Sequence, residues 1–421
     1  MRALVVGAGL GGLTAALSLR EAGVEALVVE SATRLRPLGV GINLLPHAVR
    51  ELTELGLGGE LAELGVPTGE MVHFDRFGGR IWGEPRGRAL GYDWPQYSIH
   101  RGDLQMMLLD AVLARLGESA VRTGTVFEGF EQDATGVRVR LLDRASGTVG
   151  TVETDVLVGA DGLHSAVRAR LHPDEPPPLW NGIRMWRGIA EGDPFLSGRT
   201  LAVAGRNTAA KMVVYPVSVQ AERRGRALLN WVAEVKLADG GRDATADWNR
   251  KGRLEDVLPH YADWTFDWLD VPAMLRASPE ILEYPMVDRD PLDRWTSGRV
   301  TLLGDAAHPM YPIGSNGGTQ AVLDARVLAC ELARAAGPAE GLAAYERARR
   351  ERVNAIVLAC RDMPADRMLH TVAERAPHGF DAIEDVLVPA ELEEITGAYR
   401  RLSVGDVEEL NSRPSYSPPR G

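Results

Sequence analysis

The amino-acid sequence predicts an α/β fold, in which a Rossmann-like nucleotide-binding domain is interleaved with a domain of mixed β-sheet and followed by a C-terminal helical region. Three observations predict this fold. An apolar strand, a glycine-rich turn and a helix open the chain, and a second strand–turn–helix unit begins near residue 300. Between these units lies a segment rich in strand-like runs and tryptophans. The length of 421 residues suits two interleaved domains.

The first 30 residues alternate between strand and helix. Residues 2–6 form a short apolar run that is typical of a buried parallel strand. Residues 13–22 have helical spacing, and Gly23 stands where a C-terminal cap belongs. Residues 26–29 form the next strand, so the chain begins with a β-α-β unit.

The rest of the chain divides at the proline-rich stretch 172–178. The predicted elements are helices over 50–63, 102–116, 320–336 and 341–359, strands over 137–141, 155–158 and 300–303, and a disordered tail over 411–421. The predicted boundaries assign 1–72, 101–175 and 291–361 to the nucleotide-binding domain, 73–100 and 176–290 to the sheet domain, and 362–421 to the C-terminal helical segment and tail.

Composition restricts the class of protein. The 58 acidic side chains exceed the 47 basic ones, and the net charge of −11 argues against a nucleic-acid partner. Two cysteines without zinc-like spacing predict neither a disulfide framework nor a metal site, and they suit a cytoplasmic location. Glycines interrupt the apolar N-terminal stretch, and no run of about 20 apolar residues occurs elsewhere, so no membrane partner is expected. The composition does not predict an oligomeric state.

The turn Gly7-Ala-Gly9-Leu-Gly-Gly12 matches the dinucleotide fingerprint. Its first glycine makes the tight turn, the second lets a pyrophosphate approach the backbone, and the third allows close helix–strand packing. The helix N-terminus then faces the phosphates. Glu30 ends the second strand, where a carboxylate can accept ribose hydroxyls. These residues predict dinucleotide binding without distinguishing FAD from NAD.

A second candidate cofactor element follows the strand near residue 300. Gly304-Asp305 ends this strand, and the glycine-rich loop 312–318 precedes a helix. A carboxylate at a strand end can bind the polyol chain of a flavin, and a helix N-terminus stabilises negative charge on a reduced flavin ring. Alternatively, Asp305 is an ordinary helix cap and His308 is a surface residue.

Three motifs in this order resemble those of the group A FAD-dependent aromatic monooxygenases, the para-hydroxybenzoate hydroxylase type. The motifs are Gly7–Gly12 with Glu30, Gly159–Gly162 followed by Ser165 and Arg168, and Gly304-Asp305. The resemblance implies an FAD-binding domain of the glutathione-reductase type, with NADH or NADPH as co-substrate. It also implies that a flavin C4a-hydroperoxide, formed with O2, hydroxylates a small aromatic substrate.

The family's functional positions transfer to this sequence residue by residue. The resemblance implies cofactor contacts from Gly7, Gly9, Leu10, Gly11, Gly12, Glu30, Ser31, Val40, Gly41, Ile42, Arg101, Gln105, Val126, Asp161, Asp305, Gly317 and Gly318. It implies catalytic positions at Tyr215, Pro312 and Gly314. Tyr215 lies where the sheet of the family faces the flavin, although a core aromatic role is equally open. Thr319 replaces an asparagine of many relatives.

Further segments are similar to those of 5-methylphenazine-1-carboxylate 1-monooxygenases. These segments are Arg36–Asn43, Pro95–Gly102, Arg253–Pro259 and Tyr284–Pro291. The similarity implies decarboxylative hydroxylation of a phenazine-1-carboxylate in secondary metabolism. Three alternatives stay open: a hydroxylase of a different aromatic or polyketide substrate, a flavin-dependent halogenase-like enzyme, and a non-catalytic flavoprotein.

Substrate contacts are expected from the middle segment. Met185, Trp186 and Trp231 lie on predicted strands, where an aromatic face could stack on a planar substrate. Arg184 is a candidate partner for a substrate carboxylate. Each of these residues could equally belong to the core or to a solvated strand.

Overall fold

The computed structural model describes residues 1–237, 241–242, 250–403 and 407–418. The strands are β1 Arg2–Val6, β2 Glu25–Val29, β3 Gly41–Leu44, β4 Val66–Pro67, β5 Glu70–Phe74, β6 Arg80–Pro85, β7 Tyr97–His100, β8 Val121–Arg122, β9 Thr125–Gln132, β10 Val137–Asp143, β11 Val149–Thr154, β12 Val156–Gly159, β13 Leu179–Gly192, β14 Thr200–Gly205, β15 Ala210–Pro216, β16 Ala227–Lys236, β17 Gly241–Arg242, β18 Thr265–Phe266, β19 Leu269–Asp270, β20 Ile281–Asp288, β21 Thr296–Ser297 and β22 Val300–Leu302. The helices are α1 Leu10–Glu21, α2 Pro46–Glu54, α3 Gly58–Leu64, α4 Arg101–Leu116, α5 Ala166–Leu171, α6 Val219–Glu222, α7 Leu254–Val257, α8 Val271–Arg276, α9 Asn316–Arg334, α10 Pro338–Asp362, α11 Pro364–Arg375, α12 Pro389–Ser403 and α13 Val407–Ser412.

The predicted nucleotide-binding sheet is present, with the strand order β21-β22-β12-β1-β2-β8. Its strands pair in parallel except β21, which is antiparallel to β22. After the exposed Arg2, the central strand β1 is apolar and buried, as is typical of a sheet that helices cover on both faces. β1, β12 and β22 therefore end at the same edge, where the three predicted motifs follow them.

A larger mixed sheet, with the order β17-β13-β16-β15-β14-β5-β6, forms the second domain, and β20 pairs with the other edge of β13. One face packs against α7, α8 and a cluster of aromatic side chains. The opposite face packs against the loop before α9, the end of α10 and the C-terminal helices α11 and α12. The second face is the one that meets the nucleotide-binding domain.

The helix predicted over 50–63 is wrong in its extent. The chain instead forms α2, which begins at Pro46, and α3, which begins at Gly58. Gly56 separates them in a left-handed conformation with φ of 76°, which ends α2. Proline at the first helical turn explains the early start of α2, because proline lacks only an N–H that would stay unpaired there.

The disorder predicted for the tail over 411–421 is wrong for its described residues, 411–418. Ser417 Oγ accepts a hydrogen bond of 2.7 Å from Arg326, a buried side chain of α9. Arg413 forms an ion pair with the buried carboxylate of Glu51 and stacks over the ring of Tyr416 at 4.1 Å. Polar composition predicted disorder, but ion pairs with partners distant in sequence hold the tail on the first domain. Residues 419–421 lie outside the described residues.

The pH dependence of stability follows in part from His47 on α2. Burial, followed by the charges of Arg352, Arg413 and Arg349, lowers the pKa of His47 to about 4, from an ordinary value of 6.5. The neutral ring therefore stabilises the fold above pH 6.5, and this contribution is lost as the pH falls toward 4. We expect His47→Gln to reduce the slope of the unfolding free energy against pH, between pH 4 and pH 6.5, by about 1.4 kcal/mol per pH unit. Urea denaturation of both proteins at several pH values measures it, and equal slopes would contradict it.

Among the described residues, no helix is long and apolar enough to cross a membrane. In the same part of the chain, no group of three or more His, Cys, Asp or Glu side chains is arranged to hold a metal ion.

Candidate active site

The glycines of the first turn have different structural roles. Gly7 has φ of 106°, and a Cβ there would lie 2.4 Å from the carbonyl oxygen of Ala160. A Cβ on Gly12 would lie 1.9 Å from the carbonyl oxygen of Gly7. A Cβ on Gly9 would meet nothing within 4 Å, and we call the open space in front of Gly9 and the α1 N-terminus the groove. Gly7 and Gly12 are therefore required by the fold, whereas the protein itself leaves room for a side chain at Gly9.

The N-terminus of α1 opens onto this groove. Gly9 is its N-cap and offers no side chain to the first backbone N–H groups of the helix, which leaves them available to an anion. The carboxylate of Glu30 accepts hydrogen bonds from the backbone of Ala8 at 2.9 Å and of Ala32 at 2.8 Å. Gln105 donates to the carbonyl oxygen of Ala8 at 2.7 Å. Glu30 and Gln105 thus brace the turn from both sides.

Asp161 lies beside the same turn, but its carboxylate is engaged by its own segment. Ser165, the N-cap of α5, donates to it at 2.5 Å and the backbone of Ala166 donates to it at 2.7 Å, so Asp161 is held at the start of α5. Burial raises the pKa of this carboxyl, and these hydrogen bonds oppose the rise. A direct contact between Asp161 and a cofactor stays a prediction.

Arg168 joins the second and third motifs. Its guanidinium donates to the carbonyl oxygens of Ala306 at 3.0 Å and Ala307 at 2.9 Å, directly after Asp305. Glu175 pairs with the same guanidinium at 2.5 Å. The turn that contains Asp161 and the turn that contains Asp305 are consequently held as one unit.

Asp305 lies where the sequence places it, at the end of the β22 strand, and its side chain opens onto the groove. Its surroundings raise the pKa of the carboxyl by desolvation, and the charges of His308 and Arg101 oppose that rise. A Cβ on Gly317 would lie 4.0 Å from Asp305 Oδ1, so the first turn of α9 borders the same carboxylate. Arg101 begins α4 and is tied to the groove by a backbone hydrogen bond of 2.9 Å to Val40.

The loop before α9 brings Pro312 and Gly314 to the region between the two domains. Gly314 has φ of 67° and Ser315 has φ of 60°, a paired left-handed turn that directs the chain into α9. A Cβ on Gly318 would lie 2.6 Å from Ile42 Cδ1, so α9 closely approaches β3. Thr319, which replaces the family asparagine, accepts a hydrogen bond of 3.1 Å from the backbone of Leu45 and thereby ties α9 to the end of β3.

His308 is not the surface residue that one interpretation of the sequence suggested. It is 2% exposed, and its Nε2 lies 2.5 Å from Asp324 on α9. Asp324 also accepts hydrogen bonds from the backbone of Gly304 at 3.1 Å and from Arg349 at 2.8 Å. A fully buried polar network therefore supports the turn that carries Asp305.

The face of the larger sheet that meets the nucleotide-binding domain carries ordered rows of side chains. Residues directly opposite in an antiparallel ladder share a face. The strand registers give three rows, which are Lys211–Glu234–Met185–Tyr284, Val213–Val232–Arg187–Leu282, and Tyr215–Asn230–Ile189. This face is apolar at several positions and polar around Tyr215, which suits a flat ring with a polar substituent.

Two side chains of this face bind the backbone of β3. Asn230 Oδ1 accepts a hydrogen bond of 2.6 Å from the N–H of Gly41, and Arg187 donates one of 2.5 Å to the carbonyl oxygen of Gly41. A Cβ on Gly41 would lie 2.7 Å from Asn230. Arg187 and Asn43 also hydrogen-bond to the hydroxyl of Tyr215. Burial raises the pKa of this hydroxyl, and the charge of Arg187 opposes the rise.

Three residues that the sequence suggested for substrate contact lie on the face of the larger sheet that points away from the nucleotide-binding domain. Trp186 donates to Glu283 at 3.1 Å, and Arg184 pairs with the same carboxylate at 3.0 Å. Trp231 packs in the aromatic cluster of that face. Met185 and Tyr215 lie on the face that meets the nucleotide-binding domain. Arg187 was missed, although the alternation of β13 places it on the same face as Met185.

The remaining predicted cofactor positions have no side-chain contacts that assign a role to them. Ser31 is exposed and donates to Glu30 at 3.2 Å, and Val126 is half-buried on β9. The residues present fit FAD: an uncapped helix N-terminus stands opposite open space at Gly9, and a carboxylate borders the same groove at Asp305. These features provide donors for a pyrophosphate and an acceptor for polyol hydroxyls.

Comparison with known proteins decides the family. A protein-family model described as an FAD binding domain matches residues 1–180 and 270–359, more than half of the chain. The protein belongs to this FAD-binding family. Phenazine 1,6-dicarboxylic acid hydroxylase PhzS of Lysobacter antibioticus is 50% identical over 403 residues, covering 95% of this chain and 96% of the relative. 3-Hydroxybenzoate 6-hydroxylase 1 of Aquipseudomonas alcaligenes is 31% identical over 356 residues, covering 82% of this chain and 84% of the relative.

A solved structure agrees with this assignment. Klebsiella pneumoniae HpxO complexed with FAD and uric acid has a TM-score of 0.72 and 26% identity, and the match covers 98% of this chain and 93% of that chain. The protein is thus an FAD-dependent monooxygenase. The predicted fold class, enzyme class and FAD cofactor are confirmed for this monooxygenase. The roles of its individual site residues stay predictions.

Proposed function

We propose that this monooxygenase hydroxylates a phenazine carboxylate, with NADH or NADPH as electron donor and O2 as oxidant. The observation that carries the proposal is the 50% identity, across 95% of this chain, to a phenazine 1,6-dicarboxylic acid hydroxylase. Relatives that act on 3-amino-4-hydroxybenzoate or 3-hydroxybenzoate are 34% and 31% identical. The gap in identity favours a substrate of the phenazine class over a single-ring benzoate.

The reaction balances in its decarboxylative form as follows. The ring carboxylate, O2, NAD(P)H and two protons give the hydroxylated ring, CO2, NAD(P)+ and water. When bound, FAD supplies electron transfer and oxygen activation, so the protein needs no metal or nucleophile of its own. The tasks left to the chain are to bind FAD, exclude water and orient the substrate ring.

Specific residues are suited to these tasks. The N-terminus of α1 would bind the pyrophosphate, with Glu30 at the ribose and Asp305 at the ribityl chain. Gly41, held by Arg187 and Asn230, would present backbone groups to the flavin ring. Pro312 and Gly314 would line the substrate side of the ring. The two free, buried cysteines fit a reducing compartment, which supports a cytoplasmic enzyme.

The proposed function is tested by NAD(P)H oxidation in air. The purified FAD protein is assayed with phenazine-1-carboxylate, phenazine-1,6-dicarboxylate and 3-hydroxybenzoate, and products are identified by mass. We expect stimulated oxidation with either phenazine and a product in which hydroxyl is added or replaces carboxyl. Stimulation by 3-hydroxybenzoate alone would contradict the phenazine assignment and keep the enzyme class.

Tyr215 is expected to orient the substrate in this reaction. Arg187 and Asn43 both donate to its oxygen, because Asn43 Oδ1 already accepts hydrogen bonds from Ser98 and Gln96. The hydroxyl proton is therefore left to donate to a third partner. We expect Tyr215→Phe to lower turnover about 10- to 100-fold without changing FAD content. Steady-state kinetics with absorbance of the bound flavin measure both, and unchanged turnover would assign Tyr215 to the core.

A further inference from the structure

Arg187 is an unusual side chain because it lies inside the interface between the two domains. It is on β13, opposite Val232 of β16 and Leu282 of β20, so strands flank it on both sides. Its side chain nevertheless retains accessible surface, unlike Met185 on the same face. Arg187 therefore keeps exposed surface on the face that carries Tyr215 and contacts Gly41.

The hydrogen-bond donors of Arg187 are only partly used. One donates to the carbonyl oxygen of Gly41 at 2.5 Å, and others bond to the hydroxyls of Tyr215 and Tyr284. Its Nε is buried and has no hydrogen-bond partner among the described residues. Because a guanidinium has five N–H groups in a planar fork, this arrangement leaves directed donors for a further acceptor.

The charge of Arg187 is also without a direct counterion. The polar groups that contact it, the carbonyl oxygen of Gly41 and the hydroxyls of Tyr284 and Tyr215, include no carboxylate. In the described part of the chain, no carboxylate forms an ion pair with it, and nearby Glu234 pairs with Lys211 at 2.9 Å. By contrast, Arg184, three positions earlier on β13, is neutralised by Glu283. A buried cation without a paired carboxylate is costly, and an anionic ligand would offset that cost.

We propose that Arg187 is the receptor for the anionic group of the aromatic substrate, with Tyr215 as its neutral hydrogen-bonding companion. This inference rests on the proposed function and specifies how its site selects a carboxylate. A planar carboxylate matches the fork of a guanidinium, and such charge-assisted pairs are stronger than neutral hydrogen bonds. The same guanidinium holds Gly41, so the substrate anion and the backbone proposed to face the flavin share one side chain.

The competing explanation is that Arg187 only fastens β3 to the sheet through Gly41. A fastening role requires a donor at Gly41 but gives no reason for a preference between a carboxylate and its amide. Binding preference between matched ligands therefore separates the two explanations. Whether the variant retains FAD does not separate the two explanations.

The experiment uses the FAD-loaded enzyme and two ligand pairs. The pairs are phenazine-1-carboxylate with phenazine-1-carboxamide, and 3-hydroxybenzoate with 3-hydroxybenzamide. Dissociation constants are read from the perturbation of the flavin absorbance. For the wild type we expect the carboxylate of at least one pair to bind about 10-fold or more tightly than its amide. In Arg187→Gln this preference should fall to near unity, and in Arg187→Lys it should fall several-fold, because the planar fork is lost.

Arg184→Gln is the matched control, since it removes an arginine of the same strand on the opposite face, and it should keep the wild-type preference. If Arg187→Gln does not retain FAD, the carboxylate preference of Arg187→Lys tests the proposal instead. An unchanged carboxylate preference in the Arg187 variant, or no carboxylate preference by the wild type in either pair, would overturn the proposal. A preference that appears only in the benzoate pair and is lost in the variant would support Arg187 and contradict the phenazine assignment, so the two failures are distinguishable.

Discussion

Replacing Gly9 with valine is expected to yield a folded protein that has lost its yellow cofactor. A Cβ at Gly9 meets no atom of the protein within 4 Å, so the new side chain extends into the groove without distorting the turn. It would occupy the space in front of the α1 N-terminus, where we propose that the pyrophosphate accepts hydrogen bonds. We expect FAD affinity to fall about 100-fold or more, which corresponds to losing the charge-assisted contacts of the phosphates.

The measurement is FAD content after purification, followed by titration of the apoprotein with FAD and far-UV circular dichroism. Gly59→Val is the matched control, because Gly59 on α3 also has open space around its Cβ position but lies on a different helix. That variant should bind FAD like the wild type. Gly12→Val should instead fail to fold, since its Cβ would collide with Gly7. Wild-type FAD occupancy in Gly9→Val would remove the groove from the cofactor site.

The nucleotide-binding domain could be predicted from the sequence because its signals are local. The strand predicted at residues 2–6 is the strand observed, and Gly23 does follow α1 in a left-handed conformation with φ of 72°. Each of these features depends on residues within a few positions of one another. The single helix predicted over 50–63 was wrong because periodicity does not reveal a left-handed residue, here Gly56, between two apolar runs.

The substrate side could be predicted only in part, because it depends on strand register. Alternation along β13 separates Met185 and Arg187 from Trp186, but it does not show which set faces the other domain. Trp186 attracted attention as a ring that could stack on a substrate, and it lies on the far face instead. The links from Asn230 and Arg187 to Gly41 join residues 189 and 146 positions apart in sequence, which no local pattern encodes.

The hydrogen-bond network of His308, Asp324 and Arg349 beneath Asp305 also joins residues that no local sequence pattern connects. His308 and Asp324 are 16 positions apart, and Asp324 and Arg349 are 25 apart. Burial alone would raise the pKa of Asp324, but the charges of His308 and Arg349 outweigh it and hold this pKa at about 2. The folded-state pKa is thus below the ordinary value of 3.8, so ionised Asp324 stabilises the fold above about pH 4, and this contribution is lost as the pH falls toward 2.

Asp324→Asn is therefore expected to lower the unfolding free energy at pH 7 by about 3–5 kcal/mol, because the buried guanidinium of Arg349 loses its counterion. Urea denaturation at saturating FAD for both proteins measures the difference without a change in cofactor binding contributing to it. Arg334→Gln removes one partner of an ion pair with Glu331 in which Arg334 is exposed, and it should change stability little. The effect of Asp324→Asn should also shrink below pH 4, where the wild-type carboxylate begins to lose its advantage. A variant as stable as the wild type at pH 7 would mean that the network only fills space beneath the turn of Asp305, and that packing rather than charge positions that carboxylate.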